Sequence, residues 1–214
     1  MTEHQHLETL SDIKRMMERS SRFISLSGLS GIFAGVIALA GAWIADGWLT
    51  EFDRRSNTQG YLDLMNYDEL LLRLIILGLL LIALALAGGT YFTWRRAKRN
   101  NLPVWDLSSR NVLINALIPM CTGGAFIVGL LYNHLIEMVG PACLVFYGLA
   151  LVNASKYTLS DIRYLGIAEI ILGILNVFYL RSGIIFWALG FGVLHILYGA
   201  IMWWKYERQP LASA

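Results

Sequence analysis

Charge is what this chain has least of. Asp, Glu, Lys and Arg make up only 15% of its 214 residues, while hydrophobic residues make up 57%. Soluble domains carry about 25% charge, because their surface has to face water. With a mean hydropathy of +0.56, the chain cannot cover a soluble surface. That excludes a soluble enzyme and a disordered protein. A net charge of +2 is too small to mark a phosphate-binding face, so nucleic acid is excluded as a partner. Cysteine is nearly absent too. Cys121 and Cys143 both fall in apolar stretches, which rules out a disulfide framework and reads as two buried small hydrophobes.

Chemical motifs are also missing. There is no H-E-x-x-H, Walker loop, G-x-S-x-G or usable G-x-G-x-x-G. His4 and His6 form an H-x-H that lacks two further metal ligands. His134 and His195 sit at depths too different to share a haem. Serines within the apolar stretches are confined to one face of the first, which gives an intramembrane protease nothing to work with. An enzyme is therefore not the expected class, and no cofactor is implied.

What is present is long apolar sequence. Six stretches, 23–45, 70–94, 112–132, 138–154, 164–180 and 183–204, approach the ~20 residues a helix needs to cross a bilayer. They are continuously apolar, without the alternation of barrel strands. The expected fold is all-α: a polytopic membrane protein, with six transmembrane helices over 23–206. An amphipathic cytoplasmic helix precedes it at 1–22, and a short cytoplasmic tail follows at 207–214. The polar residues 1–22 lack the apolar core of a secretory leader and are expected to remain in the mature protein.

Basic residues set the orientation. Thirteen Lys and Arg fall in segments on the side of the termini and four on the other. The expectation is both termini in the cytoplasm, in a plasma (inner) membrane. Trp43, Trp48, Trp94, Trp203 and Trp204 sit at span ends as interfacial anchors. The long outer loop, 46–69, is acidic and could attract cations or cap an outer cavity. Arg110 to Tyr147 and Arg163 to Tyr198 have similar spacings, and Tyr147-Gly148 resembles Tyr198-Gly199. Spans three and four would then repeat as spans five and six, as parallel repeats do in some transporters.

In the N-terminal segment, Leu7, Leu10, Lys14, Met17 and Ser21 recur at helical spacing, widened by Ile13 and Met16. Such a helix can lie on the membrane, pair with its copy in a homo-oligomer, or recruit a cytoplasmic protein partner.

Ionisable residues in hydrocarbon are costly and point to function. Glu169 is the only acid well inside a span, and His195 the only deep histidine. Gly166, Glu169, Gly173 and Asn176 share one face of the fifth span. Ala188, Gly192, His195, Gly199 and Met202 share one face of the sixth. The two faces are expected to pack together or line one space, with His195 between Glu169 and Asn176 in depth. Asn115 and Asn153, near the cytoplasmic ends, could ring an inner vestibule with Glu169; Tyr147 and Tyr198 complete the candidate set. The first expected function is binding or passage of a small solute, cation or proton between the last two helices. The alternative is a membrane sensor or scaffold acting through the N-terminal helix. Pro119, followed by Gly123 and Gly124, should loosen the third helix. Ser27, Gly31 and Gly35 form a small-residue packing face on the first.

Overall fold

The computed structural model describes residues 23, 25–59, 64–101 and 103–208. The expected N-terminal amphipathic helix, with His4 and His6, lies outside the described residues. Within them the chain is helical and has no strand. The helices are α1 (Gly28–Gln59), α2 (Leu64–Arg99), α3 (Leu107–Tyr132), α4 (Val139–Ala154) and α5 (Asp161–Phe178). The last, α6, is continuous but changes pitch: Gly183–Trp187 is α-helical, Ala188–Leu194 is π-helical, and His195–Tyr206 is α-helical again.

Five helical segments are long and apolar enough to cross a membrane: Gly28–Arg55, Tyr67–Arg99, Leu107–Tyr132, Ile136–Tyr157 and Leu180–Tyr206. They make the chain an integral membrane protein. The expected fifth span is the exception. It is α5, short and carrying Asp161, Arg163 and Glu169.

The stretch expected as a long outer loop is largely helical. α1 continues to Gln59 and α2 begins at Leu64. At about 1.5 Å per residue, both helices outrun a hydrocarbon core of about 30 Å. The polar extension is held by local pairs: Arg55 Nε donates to Glu51 Oε1 at 2.8 Å, and Arg54 also pairs with Glu51. Such i, i+4 pairs favour helix where no packing decides. The rings of Phe52 and Tyr67 meet across the hairpin at 6.4 Å.

Packing follows glycine. On α1, Gly28 and Gly35 approach the α6 backbone so closely that a Cβ would stand 2.4 Å from Gly199 O and 2.6 Å from Gly192 O respectively. On α4 and α5, a Cβ on Gly148 would lie 2.6 Å from Gly166 O, and one on Gly166 2.7 Å from Gly148 O. Helices associate in lipid by such close approach, since burial away from water supplies no drive there. α2 lies against α1, with the Phe33 ring on Gly88 and Leu81 on Gly41. α3 lies against α4, with Phe146 on Gly123.

One end of the bundle is tied by polar contacts. The Glu207 carboxylate accepts from Gly28 N at 2.5 Å and Ser27 Oγ at 3.1 Å. It thereby caps the positive end of α1. Arg96 of α2 reaches under α1 to donate to Leu26 O and Tyr206 O, 3.6 Å from Glu207. Lys205 and Tyr206 bind Asp161 at 2.9 and 2.7 Å, which joins α6 to the start of α5. The strand of chain ahead of α1 is pinned to the α4–α5 turn by Phe23 N donating to Tyr157 O at 2.8 Å and Thr158 Oγ1 to Phe23 O at 2.6 Å.

Candidate functional site

Glu169 is fully buried, as is Asn176, and His195 is 6% exposed. The sequence pattern predicts the buried face of α5 correctly, since Gly166, Glu169, Gly173 and Asn176 all point inward. What that face touches differs from expectation. Gly166 and Gly173 seat the backbone of α4, not α6. Likewise Gly192 and Gly199 of α6 seat α1. The small residues of the two faces therefore do not meet each other. Small residues mark where a backbone comes close, but they do not say which one. α5 and α6 meet at the polar residues instead.

His195 is held on both ring nitrogens. Nδ1 lies 3.0 Å from Gly190 O. A carbonyl can only accept, so Nδ1 carries the hydrogen. Nε2 lies 2.7 Å from Tyr147 Oη, and in a neutral ring it accepts from that hydroxyl. The ring is also flanked by Tyr147 and Phe191, with centroids at 5.3 and 6.1 Å. Glu169 Oε1 stands 3.4 Å from Nδ1. The N–H is aimed at Gly190 O, so this is an electrostatic approach without a hydrogen bond.

Neither carboxyl oxygen of Glu169 has a hydrogen-bond partner among the described residues. On its other side the carboxyl presses on α6 itself. A Cβ on Gly190 would lie 2.5 Å from Oε2 and 2.5 Å from Leu144 Cδ2. A larger residue at that position would have to push the Glu169 carboxyl and the Leu144 side chain aside. The π-helical segment contains Gly190 and runs into His195. Its i→i+5 pattern matches the five-residue step over which the Gly190 carbonyl receives the imidazole. Such segments are frequent at functional sites. The spacing of stripes at three and four residues is blind to a five-residue turn, and Gly190 and Phe191 are the site residues that sequence reasoning missed.

The remaining candidates divide. Tyr147 joins the site. Asn176 lies seven residues beyond Glu169 on α5, about 10 Å along the axis. Its Nδ2 donates to Tyr179 O at 3.2 Å, closing the end of α5, while its Oδ1 is unpartnered. Tyr198 is half-buried and takes no part in the His195 hydrogen bonds. Asn115 and Asn153 come together at the α3–α4 contact, not at Glu169. Proline at 119 has no N–H to give to the carbonyl four residues earlier, which is that of Asn115. Asn153 Nδ2 supplies the missing hydrogen bond to Asn115 O at 2.8 Å. Asn115 itself donates back to Asn111 O at 2.9 Å. These two asparagines make good the hydrogen bond that the proline removes and pack α3 against α4.

The site can hold a proton with little else. The carboxyl lies between a helix backbone and an imidazole. A lone carboxylate with no donor in such surroundings is costly. Two arrangements avoid that cost: a neutral acid beside a neutral imidazole, or a carboxylate beside an imidazolium. Both carry the same number of protons and differ only in where one of them sits.

Comparison with known protein families, with curated proteins and with solved structures finds no match to this chain. What can be said of function rests on the membrane-embedded helices and on this site.

Proposed function

We propose that the chain is a six-span membrane protein that binds and passes a proton through Tyr147, His195 and Glu169. The observation that carries this is the Glu169 carboxyl, fully buried and without a hydrogen bond, 3.4 Å from His195 Nδ1. A group kept so poorly satisfied for stability has a reason in exchange. The step is a relay across the ring. Starting from a Glu169 carboxylate beside a neutral ring, the Tyr147 hydroxyl gives its proton to Nε2 while a water or solute on its far side returns one to Oη, so the hydroxyl is restored and the ring becomes an imidazolium. Nδ1 then releases its proton to Glu169 Oε1, which leaves a neutral ring protonated at Nε2 and a neutral acid. Gly190 O competes for the Nδ1 hydrogen. Small movements of the π-helical segment therefore decide whether the imidazole faces the backbone or the carboxyl.

The sixth crossing is α5. It runs antiparallel along the whole of α4, from Gly166 against Gly148, through Gly173 against Val145, to Asn176 near Gly140. A helix paired with α4 from end to end crosses what α4 crosses. Six crossings put both termini on one side, and the excess of basic residues there makes it the cytoplasmic side of an inner membrane.

The test is reconstitution into vesicles with a pH-sensitive dye inside, alongside sodium and potassium flux assays. The expected result is proton flux that Glu169→Gln abolishes, with a protonated-carboxyl infrared band lost in the same variant. Proton flux unaltered by the substitution, or no flux of any kind, sinks the reading. Cation flux with proton flux absent would replace the proton with a metal ion.

A further inference from the structure

We infer that the groove between α3 and α4 is a binding site for an anionic phospholipid. The groove has a volume of about 380 Å³ and is lined by Pro119 and Thr122 of α3 and by Phe146, Leu149, Val152, Asn153 and Lys156 on the α4 side. Its chemistry is graded. Phe146, Leu149 and Val152 form an apolar stripe that descends α4 at helical spacing. The stripe ends at Asn153 and then at Lys156, just beyond the end of the helix. Over ten residues that is about 15 Å, the reach of a substantial part of one acyl chain.

The groove exists for a covalent reason. Gly123 lets the Phe146 ring rest against the α3 backbone. Thr122 beside it and Pro119 one turn earlier present only short side chains, and Thr122 Oγ1 is turned back onto Ile118 O at 2.9 Å. α3 thus offers a shallow wall, and α4 supplies the branched and aromatic one. The carbonyl that Pro119 leaves open is already satisfied by Asn153, so it offers no free acceptor to an occupant.

Charge selects the occupant. Lys156 is exposed, and among the described residues its ammonium makes one hydrogen bond, to Asn153 Oδ1 at 2.9 Å. That leaves two donors for a phosphate. No acidic side chain is among the described residues that line the groove. An ammonium at the mouth of an apolar channel, at the level where a membrane helix ends, matches a phosphate with its acyl chain directed inward. A neutral detergent or a zwitterionic lipid would use the stripe but gain less from the lysine.

The full chain purified in mild detergent is incubated with equal phosphatidylglycerol and phosphatidylcholine, and bound lipid is counted by native mass spectrometry. Phosphatidylglycerol is expected to be retained preferentially. Lys156→Gln should lower its retention about five-fold, the scale of one basic residue at an anionic surface, and leave phosphatidylcholine unchanged. Leu149→Trp, which fills the groove, should lower retention of both. The same spectra report mass and charge state, and a thermal melt shows whether each variant is folded. Equal retention of the two lipids by the native chain overturns the inference. So does a folded Lys156→Gln that keeps its phosphatidylglycerol, or a dimer that Leu149→Trp breaks apart, since the occupant would then be a second copy.

Discussion

Two helix pairs in this protein are built the same way and do different things. In one, α1 crosses α6 with Gly28 against Gly199; in the other, α4 crosses α5 with Gly148 against Gly166. Each glycine faces the carbonyl of its partner glycine and the backbone nitrogen four residues beyond it. The match of Gly148 with Gly199 fits the spacing noted between Tyr147 and Tyr198. The shared unit, however, is α4 with α5 and α6 with α1, not α3 with α4 and α5 with α6. Beside the first crossing the neighbours are Leu39, Ile196, Ile32 and the His195 carbonyl; beside the second they are Ile170, Val152 and Val145. Glu169 and Asn176 share the buried face of α5 at the second. The same backbone contact therefore places both halves of the proposed proton site: the imidazole on the helix of the first crossing and the carboxyl on that of the second.

The comparison breaks first at its glycines. Gly148→Leu and Gly199→Leu should each cost about 3 kcal/mol, because the obstacle is a carbonyl that cannot rotate away. Gly124→Leu, where a Cβ meets nothing within 4 Å, should stay within about 0.5 kcal/mol. Thermal unfolding in one detergent checks all three. Unequal losses at Gly148 and Gly199 would show that the two crossings are not alike.

The second effect is smaller and tests α3 against α4. Asn153→Ala strips the Asn115 carbonyl of its donor and should cost about 1–2 kcal/mol. Pro119→Ala returns an N–H to that carbonyl. In the Pro119→Ala background, Asn153→Ala should cost no more than a few tenths, so the double-mutant cycle should show a coupling near 1 kcal/mol. Additive losses would mean that the asparagine acts elsewhere.

These cases mark how far the sequence can be read. The long apolar runs, the inward face of α5 and the singular Glu169 and His195 follow from period and polarity alone. The partner of each face does not, because glycine spacing announces a close neighbour without naming it. The helical α1–α2 hairpin is legible in principle: Glu51 with Arg55 and Glu69 with Arg73 have helix-stabilising spacing, and the end of an apolar run is not the end of a helix. The π-helical turn at Gly190 was not legible. Within it Gly190 presents its carbonyl to His195 and its Cα to Glu169, and the second of these contacts is tertiary, which no period in the sequence encodes. Asn115 and Asn153 looked like site residues for a related reason. A polar residue that fills the hydrogen bond a proline leaves open and one that lines a cavity have the same hydropathy.

A third prediction stays within the site. Tyr147→Phe keeps the ring contact with Phe191, at 5.3 Å, and removes the hydroxyl from Nε2. The expected loss is about 1 kcal/mol of stability. Proton entry to the ring should slow, and flux should fall without vanishing if water can reach Nε2. Unchanged flux in vesicles would remove Tyr147 from the relay and leave it as a clamp.

Only a small change in stability should come from the fully buried Glu169. Glu169→Met replaces a carboxyl that makes no hydrogen bond with an apolar chain of similar length. His195 keeps Gly190 O on one nitrogen and Tyr147 on the other. Removing a poorly satisfied polar group from such a place is commonly neutral or favourable, so the melting temperature should hold or rise, by no more than about 1 kcal/mol in free energy. Proton binding should be lost completely in the same variant. If Glu169 instead bonds α5 to α6, as Gly148 bonds α4 to α5, the substitution strands a partner and costs about 3–5 kcal/mol. The sign of one thermal shift thus decides whether the second glycine crossing frames a site or merely carries a stronger adhesive than the first.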